Sequence, residues 1–362
     1  MSNRFVEGGL RAPVNVTWEV TLACNLRCRH CLSASGEPAP GELDTAEALD
    51  LVEQFHRAGV FQVNFGGGEP FLRPDFDRIL DACHRRGLVT CISTNGTFLD
   101  KGRVARLAES GLVAVQVSLD GASPATCDGL RGTGSYDRAM RALTLLAKSP
   151  IPTSINAVLT AANAREIPAL YEMARELGVT LRVSRFRPSG RGAALWRSLR
   201  PSARQLLEFS EWLLGTGDVR TGDSFFSLTP QERQGLGLNL CGAAKLTCSV
   251  GPAGELFPCA FLQTPRFRAG SLREESFQEI WDGSPVYQWF RRLRIRSCEG
   301  CHRFDRCHGG CPAVAYHMGG SLESGDPECL ERCVTALTGE QPVLEAASAR
   351  GSFRITEGPP SA

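Results

Sequence analysis

Cys24-Asn25-Leu26-Arg27-Cys28-Arg29-His30-Cys31 is the stretch on which the reading of the whole chain turns. Three soft thiolates within eight residues are enough to ligate three irons of a 4Fe-4S cube and one short of closing it. The fourth iron would then stay open to an outside ligand. A zinc clip completed by a distant fourth ligand is the structural alternative. Residues 14–21 lead into the stretch as a β-rich alternating run, which places the thiols on the loop after a first strand.

Working outward, residues 44–58 carry Ala48, Leu51, Val52, Phe55 and Ala58 at helical spacing, with Asp44 as N-cap, Glu47 in capping-box register and Gly59 as stop. Strands are then expected near 60–65, 88–93, 113–119, 153–159 and 180–186, alternating with helices near 75–86, 100–110, 135–148 and 164–177. Six βα units predict an α/β fold: a parallel sheet curled into a partial (β/α)6 TIM-like barrel with a lateral opening wide enough for a peptide. An open doubly wound sheet is the alternative. The unusual residues fall on loops after strand C-termini, where such barrels place their chemistry. These are the cysteine loop, Gly66-Gly67-Gly68-Glu69-Pro70, Ser93-Thr94-Asn95-Gly96 and Ser118-Leu119-Asp120-Gly121.

The chain has 362 residues and a formal net charge of +1, so it carries no general field for nucleic acid or an anionic membrane. No 18-residue apolar run and no secretory signal precede the motif, which points to the cytoplasm. Fifteen cysteines are hard to explain as disulfides in a reducing compartment, and metal clusters are the better account. Beyond the first trio come Cys241, Cys248 and Cys259, then Cys298, Cys301, Cys307, Cys311 and Cys329. The run C-x2-C-x5-C-x3-C-Pro from Cys298 is ferredoxin-like in style, and eight thiols make two four-cysteine sites. Cys333 is an alternative to Cys329, and zinc is an alternative in one site. Cys83, Cys91, Cys127 and Cys333 otherwise read as buried thiols.

Arg182, Arg187 and Arg191 read as a solvated basic stretch, while Arg185, at the end of the sixth strand, is expected to face the cavity and fork onto a ligand carboxylate. Arg291, Arg292, Arg294 and Arg296 read as a wetted helical face. The expected division is an N-terminal segment 1–13, the barrel 14–200, a bridge 201–237 with a helix near 201–214, a cysteine-rich module 238–335 and a disordered tail 336–362.

The cysteine loop and the glycine-rich turn together resemble the radical S-adenosylmethionine (SAM) enzymes. The resemblance implies that the SAM amino and carboxylate groups take the open iron, and that Gly67, Gly68, Glu69 and Pro70 serve the methionyl amine. By the same resemblance Ser93, Asn95, Ser118 and Asp120 lie near the ribose and carboxylate, with Arg131 a further candidate. The later cysteines, Gly254 five residues before Cys259 and the seventeen-residue gap from Cys311 to Cys329 resemble the SPASM extension. That implies interleaved auxiliary clusters, one on Cys241, Cys248, Cys259 and Cys311 and one on Cys298, Cys301, Cys307 and Cys329. The implied cofactors are thus SAM and three 4Fe-4S clusters.

Longer strings at 22–36, 63–70, 131–137, 187–192, 221–226 and 237–243 narrow the resemblance to the mycofactocin radical SAM maturase family. It implies that an electron from the reduced open cluster cleaves SAM to methionine and a 5′-deoxyadenosyl radical. The implied outcome is oxidative decarboxylation of the C-terminal Tyr of a precursor peptide, followed by a Val-Tyr carbon-carbon bond. A flavodoxin- or ferredoxin-type reductant is implied as well. With about twenty residues before the cysteine loop, a separate small peptide-recognition chaperone is expected. Two departures stand out: His30 replaces the aromatic that usually precedes the third cysteine, and Ala260 stands where sulfatase-maturing relatives carry an acid. The alternatives are another SPASM maturase of the quinone-cofactor or thioether-forming kind, and a noncatalytic iron-sulfur scaffold or electron carrier.

Overall fold

The computed structural model describes residues 10–221, 241–301 and 304–338. Residues 1–9 of the N-terminal segment, the string 221–226 beyond its first residue, the start of the string 237–243, the bridging loop and the tail from residue 339 lie outside them, while residues 336–338, expected in the tail, end a helix instead.

Alternation along the first strand sets the architecture. In β1 (Asn15–Thr21), Val16, Trp18 and Val20 are fully buried on one face. There Trp18 meets Phe55 edge-on at 6.0 Å and Phe65 at 5.6 Å. Thr17 and Glu19 point the other way, into an internal cavity. The same division holds in β2 (Gln62–Gly67), β3 (Val89–Thr94), β4 (Val113–Ser118), β5 (Thr153–Leu159) and β6 (Thr180–Arg185). Val63, Phe65, Ile92, Val115, Val117, Ile155, Leu181 and Val183 bury their side chains outward. Asn64, Gln116, Ser118, Asn156, Arg182 and Ser184 line the cavity.

The outer face is covered by α1 (Thr45–Ala58), α2 (Phe76–Arg85), α3 (Lys101–Glu109), α4 (Pro124–Arg131), α5 (Ser135–Leu146) and α6 (Ile167–Glu176). Helix α1 opens on the expected capping box: the Asp44 carboxylate accepts from Glu47 N–H at 2.9 Å and the Glu47 carboxylate from Asp44 N–H at 2.8 Å. Helix α4, capped by Ser123, was not expected from the sequence, because its eight residues include Gly129 and are too short to show a period. Strands β1 to β6 are parallel neighbours in consecutive order. A doubly wound sheet needs a reversal of that order, whereas unbroken right-handed crossovers keep every helix on one face, so the partial barrel holds.

The sheet is longer than the six expected strands. β7 (Arg220–Thr221) joins β6 in parallel, and β8 (Thr247–Val250) lies parallel to β1, followed by β9 (Glu255–Phe257) and β10 (Gly270–Ser271), both antiparallel. Strands of two to four residues offer no periodicity to read. The cysteine-rich part is therefore stitched to the barrel, with Cys248 in register with Val16. The helices that follow the barrel are α7 (Trp196–Leu199), α8 (Ala203–Gly215), α9 (Phe277–Gly283), α10 (Pro285–Arg292), α11 (Phe304–Cys307), α12 (Pro312–Gly319) and α13 (Leu330–Thr338). Phe277 meets Phe55 at 5.0 Å, which joins the cores of the two parts.

One of the four arginines before Cys298 departs from the expected wetted face. Arg291 is buried, with Nε donating to the Ala244 carbonyl at 2.9 Å and Nη2 to that of Trp281 at 2.6 Å, while Arg292, Arg294 and Arg296 are exposed. Cys83, Cys91, Cys127 and Cys333 are buried, as expected of thiols packed as small hydrophobes. Among the described residues, no helix is long and apolar enough to cross a membrane.

Candidate functional site

A cavity of about 260 Å³ lies over the C-terminal ends of β1 to β6. Among the described residues, Cys24, Cys28 and Cys31 are the thiols on its wall. A register shift between Glu19 and Thr21 turns the chain out of β1 into the cysteine loop. The loop is closed at its neck, where Cys24 N–H donates to the Gly36 carbonyl and Gly36 N–H to that of Leu22, both at 2.9 Å.

The segment 187–192 grips this loop from above, so the expected solvated basic stretch is corrected. Arg191 donates from Nε to the Cys28 carbonyl and from Nη1 to the Ala34 carbonyl, each at 3.0 Å. Gly190 has φ +53°, and a Cβ there would stand 2.2 Å from the Leu32 carbonyl oxygen. Arg187 is buried and stacks 3.6 Å over the Phe261 ring. The positive charge of these residues was legible, but their carbonyl and aromatic partners come from elsewhere in the chain.

The glycine-rich turn packs against the cysteine loop as well. Gly68 N–H donates to the Thr21 carbonyl at 2.7 Å and Glu69 N–H to that of Ala23 at 2.8 Å. A Cβ on Gly68 would lie 2.1 Å from the Ala23 oxygen, and one on Gly67 would lie 2.6 Å from the Thr21 oxygen. These two glycines are thus required by contact between two chain segments, while Gly66 faces open space. Glu69 is buried on the wall, where its carboxylate accepts from Thr94 Oγ1 and Asn95 N–H at 2.8 Å and from Phe71 N–H at 3.4 Å. Burial pushes its pKa up to about 7 against those donors. Pro70 stands behind the wall and opens the short turn Pro70–Leu72.

Ser93, Asn95 and Ser118 line the cavity. Asn95 is held by its own amide, which donates to Asn25 Oδ1 at 2.8 Å and accepts from Thr97 N–H at 2.9 Å. Asp120 is fully buried behind the wall, paired with Arg131 at 2.5 Å and His30 at 3.0 Å. Burial opposes its charge, but Arg131 and then His30 prevail and hold the carboxyl well below the usual range. Arg131 and His30 both reach the cavity, and Arg131 brings Nη1 to 3.8 Å from Cys28 Sγ. The histidine in place of an aromatic is thereby explained: it partners Asp120.

Arg185 lines the cavity, as the sequence led us to expect, but the carboxylates on its guanidinium are the chain's own. Its guanidinium is taken by Asp326, at 2.5 and 2.8 Å, and by Glu328, at 2.6 and 3.0 Å, both from the cysteine-rich part. Those partners lie more than 140 residues away in sequence, with no local signal to announce them.

Glu19 is a wall residue that the sequence reading passed over. It is 4% exposed, accepts from the Ser33 hydroxyl in a short contact, and has its pKa pushed by burial to about 7, with Ser33 and Gln263 opposing. The β1 alternation that placed Thr17 inward was the available signal. Ala260 and Phe261 close the wall from the second part.

The auxiliary thiols fall into two neighbourhoods. Cys241 and Cys259 lie close enough to Cys311 and to each other that, after burial, the neighbouring thiols help push both of them up, Cys241 to about 11. Cys248 is fully enclosed beside Tyr287, and burial pushes it to about 12. Cys298, Cys301, Cys307 and Cys329 form the second neighbourhood, while Cys333 packs in the apolar core. Among the described residues, no three His, Cys, Asp or Glu side chains close on a single ion-sized point. The first trio fits a cube with one open iron by its donor set, three thiols on one cavity wall with no fourth beside them.

Comparisons with known proteins agree with this geometry. A Radical SAM superfamily model matches residues 18–174, and a SPASM model, described as an iron-sulfur cluster-binding domain, matches residues 241–307. The chain is 42% identical over 331 residues to the mycofactocin maturase MftC of Mycobacterium ulcerans, covering 90% of each protein. It is 30% identical to the AdoMet-dependent heme synthase of Methanosarcina barkeri, covering 89% of this chain and 97% of the relative. The Streptococcus suis SuiB structure bound to precursor peptide SuiA shares the fold at a TM-score of 0.75 and 22% identity, covering 89% of this chain and 77% of SuiB.

Proposed function

Because the chain belongs to the mycofactocin maturase family of radical SAM enzymes, we propose that it carries out SAM-dependent oxidative decarboxylation of the C-terminal Tyr of a precursor peptide and then joins that residue to the preceding Val. The observation that carries the reading is the thiol trio on a polar cavity that the second part closes with Ala260 and Phe261. In this reading Cys24, Cys28 and Cys31 hold the SAM-binding cube. Gly67, Gly68, Glu69, Ser93, Asn95 and Ser118 form the SAM side of the cavity, with Pro70 and Asp120 acting from behind it. Cys241, Cys248, Cys259 and Cys311, and Cys298, Cys301, Cys307 and Cys329, hold the two auxiliary cubes, three in all. When bound, clusters and SAM supply one-electron chemistry that ends in hydrogen abstraction from the substrate.

The chain's own residues do the positioning. Thr94 and Asn95 fix the Glu69 carboxylate as an acceptor. Arg131, anchored by Asp120, keeps a cation beside Cys28. Arg187, stacked on Phe261, walls the cavity on the side nearest the second part. Ala260 supplies no base, which disfavours sulfatase-type maturation, and Glu19 remains as a wall carboxyl that holds its proton near neutrality. The remaining elements of the proposal are a small peptide-recognition chaperone, a flavodoxin- or ferredoxin-type reductant and a cytoplasmic setting.

Anaerobic reconstitution with dithionite, SAM and a synthetic peptide ending in Val-Tyr tests it. The expected result is a peptide lighter by about 46 Da, the elements of formic acid, with 5′-deoxyadenosine formed alongside. A different mass change would assign another maturase chemistry. No SAM cleavage would remove the reading altogether.

A further inference from the structure

The ion cluster at the end of β6 lies between the cavity and the auxiliary thiols, and nothing in the proposed chemistry uses it. Arg185 is 6% exposed and lines the cavity with one edge, while its N–H groups bridge two carboxylates on the other. Asp326 does more there than balance charge. Its Oδ2 also accepts from the Cys311 backbone N–H at 3.0 Å, its Oδ1 accepts from Glu328 N–H at 2.9 Å, and its own N–H donates to the Gly309 carbonyl at 2.9 Å. A Cβ on Gly310 would stand 2.4 Å from Asp326 Cβ, so the two segments are in direct contact. One carboxylate thus locks residues 309–311 against residues 326–328. The first segment delivers Cys311 and the second delivers Cys329.

We propose that Arg185 is a positioning residue for the auxiliary thiols: by holding Asp326 and Glu328 it sets the paired loops that present Cys311 to one cluster and Cys329 to the other. This rests on reading those cysteines as cluster ligands. The physical reason is the cost of the alternative. Without the Arg185 fork, the buried Asp326 carboxylate is no longer fixed between the Cys311 and Glu328 N–H groups, and the two loops lose their common tether. Lysine cannot replace arginine here, because a single ammonium does not span two carboxylates with a rigid fork of donors. The sixth barrel strand therefore reaches through the cavity wall to organise both auxiliary sites. Residues that orient ligands from behind the metal typically change metal affinity about 10- to 100-fold when removed.

The test uses the full chain carrying Cys24→Ala, Cys28→Ala and Cys31→Ala, so that only auxiliary iron is counted. In this background Arg185, Arg185→Lys, Arg185→Met and Asp326→Asn are compared after anaerobic reconstitution. The readouts are iron and sulfide per chain, the EPR spectrum of the dithionite-reduced protein, and circular dichroism of the apo-protein to confirm the fold. Arg185→Met is expected to lose about half or more of the iron retained by the parent. Arg185→Lys, with its fold intact, is expected to show an altered EPR spectrum and intermediate loading. Asp326→Asn should follow Arg185→Met. Full loading and an unchanged spectrum in both Arg185 variants would overturn the proposal. If that result came with weakened peptide binding, Arg185 would become a substrate contact instead. A parent that binds no iron would remove the cluster reading and this inference together.

Discussion

The barrel and the cysteine-rich part are held together by different means. In the barrel, strands of six or seven residues turn apolar side chains outward onto helices of eight to fourteen, and rings such as Trp18, Phe55, Phe65 and Phe76 pack at 5 to 6 Å. Beyond residue 240 the strands have two to four residues and the helices four to nine. Loops there are set by buried ionic and carbonyl contacts: Arg185 with Asp326, Arg291 with the Ala244 and Trp281 carbonyls. The difference teaches that the barrel stands mainly on periodic burial, supplemented by ionic contacts such as Asp120–Arg131, while the second part needs point contacts and, in our reading, metal.

The strongest way to break this contrast is to remove one thiol from each part. Cys28→Ala should reduce SAM cleavage to background while leaving the melting temperature within a few degrees, because the loop stays tied by backbone bonds at Gly36. Cys311→Ala should instead strip hydrogen-exchange protection from residues 304–338 and spare β1 to β6. Equal protection of both parts in the two variants would erase the distinction.

Within the barrel the tightest contact is the next largest effect. Gly68→Ala forces a Cβ to 2.1 Å from the Ala23 oxygen, so the cysteine loop must shift. A loss of about 3 kcal/mol or more in chemical denaturation, with iron loading lost at the trio, is expected. A variant that loads iron normally would show that the loop can yield.

Glu19 tests the polar inner face. Its pKa is raised from 4.5 to about 7 by burial, so the native state keeps a proton that the unfolded chain has lost. Its stabilising contribution is full below about pH 4.5 and is lost as pH rises through 7. Apo-protein should therefore lose up to about 3 kcal/mol from this group across that window. Denaturant titrations of Glu19→Gln from pH 5 to 8 should show a flatter profile. An unchanged profile would place the titration elsewhere.

The smallest effect is expected where the two parts meet at the surface. Arg273 donates to Glu47 at 2.8 and 3.0 Å, and the bond to Arg273 holds the Glu47 carboxyl down to about 2. Both side chains are solvated, so Glu47→Gln should cost less than about 1 kcal/mol by denaturant titration at pH 7. That small contribution should fade as the pH falls from 4.5 toward 2.

The sequence made one kind of information plain. Asp44, Glu47 and Gly59 bounded α1 correctly, and the alternation in residues 14–21 marked which face would be apolar, because these signals are local. The cysteine loop and the Gly66–Pro70 turn were visible by residue type, though Gly67 and Gly68 serve chain-chain contact rather than a ligand alone. What escaped was tertiary. Arg185, Arg187, Arg191 and Arg291 are polar in any local window, and only partners far along the chain explain where they lie. Asp120 looked like a loop carboxylate and proved to be the anchor of Arg131, a role written jointly by residues 30, 120 and 131.

The parallel pairing of Cys248 with Val16 has a consequence for synthesis on the ribosome. The neighbour on one side of β1 is encoded some 230 residues after it, so a bare row of N–H and C=O groups stays exposed until that later strand is made. The nascent chain is a template for unwanted strand pairing for as long as that edge is open, and a module made later is the one that shields this earlier strand.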